Sequence, residues 1–136
     1  MPAPVRTDRP TGAGYGRGVT AEPDGTETGA VLAWIDGGPP PERSVQRAAV
    51  KQSLAALTAI APGRSVEVRV PPYGAVQCVS GPAHGRGTPP NVVEADPRTW
   101  LALVTGRLDW TEALRTGRLS ASGTRTGEVA RLLPLG

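Results

Sequence analysis

Phenylalanine is absent from this sequence, and cysteine, histidine, methionine and lysine each occur once. Cys78 therefore closes no internal disulfide. With His84 as the sole imidazole, the chain cannot complete a Cys/His zinc set or run a mechanism that needs two histidines. A lone free cysteine reads as a small buried residue on a strand. No run approaches the ~20 apolar residues of a membrane-crossing helix, so stable membrane insertion is not expected. The opening "MPAPVRTDRPTGAGYGRG" lacks the apolar stretch of a secretory signal, and Pro2 stands where N-myristoylation needs glycine. The expectation is a cytoplasmic protein. Acid and base are nearly balanced, 12 against 15, for a net charge of +3. All the basic residues but Lys51 are arginine, and they are scattered. A nucleic-acid binder concentrates such charge on one face, so no nucleic-acid partner is expected. Neither a dinucleotide-binding glycine pattern nor a P-loop is complete, and no cofactor or metal is implied.

What is present sorts by periodicity. Residues 1–26 carry four prolines, five glycines and almost no apolar repeat. Such a segment buries too little surface to offset its chain entropy and reads as a disordered tail. Residues 27–136 read as one domain. "TETGAVLAWIDGG" places Val31, Leu32, Trp34 and Ile35 on one helical face, with Gly37 able to end the helix. Three prolines stiffen the linker that follows. Ser44 is a candidate cap for a second helix, whose stripe is Val50, Leu54, Leu57 and Ala61, flanked by Ala48 and Ile60. "SVEVRV" alternates valines against Glu67 and Arg69, a strand with one wet face. "YGAVQCVSG" resumes as a second strand after Pro71-Pro72, "GPAHGRGTPPN" is a loop, and "NVVEA" a short third strand. "RTGEVARLLPL" reads as a last short helix halted near Pro134.

The stretch "TGRLDWTEALRTGRL", Thr105 to Leu119, spells TGRL twice. Eleven residues are too few for a repeat unit, which runs to ~20–50. Both copies fit helix C-termini: Thr precedes the cap, Gly turns the chain, Arg sits by the negative helix end and Leu re-enters the core. Upstream, Asp96 followed by Pro97 is an N-terminal signature, and Trp100, Leu101, Leu103 and Val104 supply the apolar side. Asp109 or Thr111 opens the second helix, with Trp110, Ala113 and Leu114. "RLSASG" is a final strand with Leu119 and Ala121 on one face.

Asp96, Leu103, Gly106, Leu108, Asp109, Ala113, Gly117, Arg118, Leu119 and Gly123, in that order and spacing, resemble the C-terminal half of the sterol carrier protein domain, closest to a small bacterial branch of the family. The resemblance implies an α+β fold, a mostly antiparallel sheet of about four to five strands with helices packed on one face. It further implies an apolar tunnel between sheet and helices for a lipid, sterol or acyl chain. Related domains also serve as non-catalytic modules of larger enzymes, so fold alone does not establish transfer of lipid. Proline breaks shorten the sheet here, leaving a smaller cavity or a filled one. Trp34, Trp100 and Trp110 are the side chains that decide between them.

No catalytic constellation emerges. Ser53 and Ser80 have no histidine fixed by sequence. Glu94 and Asp96 are close, yet capping explains Asp96. The expected function is non-enzymatic binding of an apolar small molecule or lipid by a monomer or homodimer. A protein-interaction module of the same fold, and a small enzyme using His84, are the alternatives. The expected ligand contacts are Trp100, Leu103, Val104, Leu108, Trp110, Leu114 and Leu119 from the helical side. From the sheet they are Val68, Val70, Val76 and Cys78. Arg69, Gln77 or His84 would orient a polar head.

Overall fold

A computed structural model describes residues 25–81 and 90–135. Most of the expected tail lies outside the described residues, as do His84, the greater part of its loop and Gly136. Five helices and four strands occur among the described residues. In chain order they are α1 (Gly25–Ile35), α2 (Arg43–Ile60), β1 (Val66–Val70), β2 (Gly74–Cys78), β3 (Val92–Ala95), α3 (Pro97–Val104), α4 (Trp110–Arg115), β4 (Leu119–Ser122) and α5 (Gly127–Ala130). The strands form one open sheet in the order β2-β1-β3-β4. The outer pairings, β1 with β2 and β3 with β4, are antiparallel; the central pair β1 and β3 is parallel. The fold is α+β with a mixed, mostly antiparallel sheet, as the family resemblance implies.

Alternation along β1 decides which face is covered. Val66, Val68 and Val70 are fully buried, and the register sets Val76 opposite Val68 and Cys78 opposite Val66. Val93 and Ala95 on β3, and Leu119 on β4, continue the same buried face. Leu54, Leu57 and Trp100 from α2 and α3 join these residues in one apolar core. Glu67, Arg69, Gln77, Glu94 and Ser120 point to the other side of the sheet, because the side-chain period of a strand is two. α1 packs on α2 and α3, on the side of the helical layer away from the sheet.

The helix ends are locally specified. Asp96 is extended, at φ −70° and ψ 163°, and its carboxylate accepts from the Thr99 backbone N–H at 3.3 Å and the Thr99 hydroxyl at 2.6 Å. Asp109 does the same for α4, accepting from Glu112 N–H at 3.2 Å. At the far end of α3, Arg107 N–H reaches Ala102 O at 2.9 Å and Gly106 N–H reaches Leu103 O at 3.2 Å. α4 repeats both bonds, from Arg118 to Ala113 at 3.0 Å and from Gly117 to Leu114 at 3.2 Å. Both are complete Schellman turns, which need a left-handed residue. Gly106 supplies it at φ 79° and Gly117 at φ 76°.

Four expectations need correction. Ser44 does not cap α2: the helix starts one residue earlier, Glu42 is the N-cap without a side-chain bond, and the Gln46 amide donates back to Pro41 O at 2.9 Å. The proline run holds the chain extended up to Glu42, and the helix begins as soon as that restraint ends. Ile60 is 57% exposed rather than beside the core; it sits off the stripe of Val50, Leu54 and Leu57, while the next residue, Ala61, packs against the core. Arg107 leaves the helix end to its own backbone N–H and pairs instead with Asp36 beyond α1, Nε to Oδ1 3.0 Å. The last helix closes at Ala130, four residues before Pro134. The segment beyond it is tied down by Leu135 N–H, which donates to Val104 O at 2.9 Å.

Candidate functional site

The residues expected to meet a ligand fall into three environments. Trp100, Val68, Val70 and Cys78 are fully buried, with Leu103 and Leu119 at 2% and 3% exposure; they are the packed interface between sheet and helices. Trp100 is fixed there by its indole N–H, which donates to Ser53 Oγ at 2.8 Å, while Ser53 donates to Val50 O at 2.7 Å. A buried indole needs such a partner, and the pair locks α3 against α2. Val76, Val104, Leu108 and Trp110 are half-buried around this core, as is Trp34. Leu114 is exposed, on the outer side of α4.

Two hollows open from the helical layer. One is an apolar groove of about 270 Å³ between α1, α2 and α3. α1 contributes Thr28, Val31 and Leu32, and α2 contributes Ala49, Gln52, Ser53 and Ala56. Leu101, Val104 and Thr105 come from the end of α3, and Leu135 from the C-terminal segment. The second, about 190 Å³, lies between α3, α4 and the C-terminal segment; Leu103, Leu108, Trp110, Ala130 and Leu133 line it. Of the expected residues, Val104 lines the first hollow and Leu103, Leu108 and Trp110 the second. Sequence reasoning missed the α1 wall of the first. Its signal was present in the apolar face of Val31 and Leu32, but no spacing rule says which other helix that face will meet.

Charge placement separates the groove from the rest of the surface. α1 is held at its C-terminal end by Arg98, whose guanidinium donates to Trp34 O at 3.0 Å and Ile35 O at 3.1 Å. Those are the carbonyls that end the helix, the preferred place for a cation; Trp34 O also accepts from the Gly37 N–H at 3.0 Å. Arg69 and Gln77 do not orient a ligand in the helical layer, because the alternation that buries Val68 and Val70 turns both to the outer sheet face. There Arg69 pairs with Glu67, Nε to Oε2 3.2 Å. That hydrogen bond and charge, helped by Glu94, raise the guanidinium above its usual range. Gln77 accepts from Arg64 Nε at 3.3 Å. His84, the third candidate, lies outside the described residues. Burial pushes the Cys78 thiol up to about 11, so at neutral pH it is neither a thiolate nucleophile nor a metal ligand. Among the described residues no three His, Cys, Asp or Glu side chains gather into a metal site. No described helix is long and apolar enough to cross a membrane.

An open mixed sheet covered on one face by helices, with apolar hollows in the helical layer and no titratable cluster within it, defines an SCP-like α+β domain. Residues 42–135 match the family of bacterial SCP orthologs, and the chain belongs to that family. This bears out the resemblance read from Asp96 to Gly123. The match begins at the N-cap of α2, so α1 and the wall it gives to the larger groove precede it. A search of curated proteins returned no significant match.

Proposed function

We propose that residues 27–136 form one domain and that the chain is a non-enzymatic carrier of a small apolar ligand. Membership of the SCP family supports the class of function. The observation that carries the reading is the 270 Å³ groove, whose walls are apolar but for four uncharged polar side chains. Pockets that enclose drug-sized ligands span ~300–1,000 Å³, so this groove suits one short chain better than a sterol. Burial of each methylene contributes about 0.8 kcal/mol before the costs of association, close to a fourfold gain in affinity. Affinity should therefore climb with chain length and level off where the groove ends. The second hollow, at Leu103, Leu108 and Trp110, is the alternative seat. The full set of Trp100, Leu103, Val104, Leu108, Trp110, Leu114 and Leu119 with Val68, Val70 and Val76 would be engaged only if the helices part from the sheet.

Native mass spectrometry after gentle purification, followed by titration with a fluorescent acyl probe, tests the reading. Ala49→Phe fills the groove from α2 and should abolish binding while far-UV circular dichroism stays unchanged; Trp110→Ala should spare it. Unaltered binding by Ala49→Phe would remove the ligand from this groove.

A further inference from the structure

We propose that the groove selects an uncharged single-chain amphiphile, a neutral hydroxyl or amide head on one apolar tail, over the corresponding carboxylate or ammonium. The proposal rests on the carrier reading above and deepens it. None of the eleven lining residues is ionisable, and the polar ones are Thr28, Gln52, Ser53 and Thr105. Two of these four are committed to the protein. Ser53 spends its proton on Val50 O and accepts from Trp100. Thr105 donates back to Leu101 O at 2.8 Å. The side chains of Gln52 and Thr28 make no hydrogen bond among the described residues. Both are exposed, Gln52 on α2 and Thr28 in the first turn of α1, so they stand at the mouth of the groove while Val31, Leu101, Val104 and Leu135 form its depth.

An amide and a hydroxyl each offer a donor and an acceptor, which suits a neutral head that does the same. An ionic head finds no counter-charge in the walls, and drawing it out of water without one costs more than drawing in a hydroxyl. Among the described residues, Arg98 and Lys51 are directed elsewhere. Arg98 holds the carbonyls that end α1. Lys51, next to Gln52 in sequence, extends over β2, where its Nζ lies 3.9 Å from the position a Cβ on Gly74 would take. Thr28 belongs to α1, ahead of the family match that begins at residue 42, whereas Gln52 lies on α2 within it.

The test titrates the full chain with decanol, decanoate and decylammonium below their aggregation limits, read by isothermal calorimetry. Decanol should bind tightest and each ion about tenfold or more weakly, the consequence of an unpaired head. Gln52→Glu, at an exposed position that folding tolerates, should draw decylammonium up by about tenfold and weaken decanoate further. Either ion binding the unaltered chain as tightly as decanol overturns the proposal, and so does a decylammonium affinity that fails to rise relative to decanoate in Gln52→Glu. Failure of all three probes to bind overturns the carrier reading itself, which keeps the two failures distinguishable.

Discussion

α3 and α4 open and close on the same letters and live in different surroundings. Each opens on an aspartate whose carboxylate takes the N3 backbone N–H, and each closes on Thr-Gly-Arg-Leu in a Schellman turn. In each, the C-cap threonine hydroxyl donates to the carbonyl four residues back, Thr105 to Leu101 at 2.8 Å and Thr116 to Glu112 at 2.9 Å. Yet α3 buries Thr99 through Leu103 without a break, whereas α4 buries only Ala113. The capping grammar is local and blind to burial. The difference comes from position: α3 follows β3 directly and packs against α1 and α2 in the helical layer, while α4 packs on β4 at the edge of the sheet.

The comparison is broken most forcefully at the tryptophans. Trp100→Ala removes a fully buried indole and leaves Ser53 without its donor, at a cost of about 3–5 kcal/mol. Trp110→Ala, at a half-buried site, should cost about 1–2 kcal/mol. Urea denaturation of both variants measures the gap; equal losses would mean that α4 is as integral to the core as α3.

Next come the glycines, where alanine must adopt a left-handed backbone at about 1–2 kcal/mol. Gly106→Ala and Gly117→Ala should cost about the same, because a Cβ at Gly106 meets Pro134 Cγ only at an ordinary contact distance of 3.4 Å and one at Gly117 has nothing within 4 Å. Similar losses in melting temperature are expected, and a clearly larger loss at either glycine would place strain outside the αL turn.

The caps sharpen the same point with smaller effects. Asp96→Ala and Asp109→Ala should each lose about 1 kcal/mol. The loss at Asp96 should be larger, because its carboxylate also holds the Thr99 hydroxyl and the helix it starts carries the core. Thermal unfolding followed by circular dichroism at 222 nm reads the pair. Smallest are the arginines. Arg107→Ala breaks an exposed ion pair with Asp36, worth at most about 0.5 kcal/mol and fading in high salt. Arg118→Ala, without a partner of that kind among the described residues, should lie within about 0.3 kcal/mol of the parent at any salt. A salt-insensitive loss at Arg107 would show that its stem, not its charge, matters.

Legibility follows the same division. The valine alternation in β1, the proline stop after it, both aspartate caps and both glycine turns were readable, since each depends on residues within a turn or two of one another. The order and spacing of caps and glycine turns from Asp96 to Gly123 were enough to point to the family. The site was less legible. Val104, Leu103, Leu108 and Trp110 were singled out and do line hollows, but Trp100, Val68 and Val70 are packed solid. Apolar periodicity marks which side of an element faces inward; whether that side meets side chains or empty space depends on the shape of the opposing element.

The sequence by itself determined how α3 and α4 end, which valines share a face, and that no Cys/His zinc cluster or internal disulfide can form. These follow from backbone sterics, hydrogen-bonding capacity and residue count, all local or compositional. Only the tertiary structure decided that Trp100 fills the space between sheet and helices, that Arg107 looks to Asp36 across the fold, and that α1 leans on α2 and α3 to leave a groove beside Gln52. Those outcomes join residues 47, 71 and more positions apart. They are fixed by how three layers of unequal side chains pack together, a sum over contacts that no single stretch of chain contains.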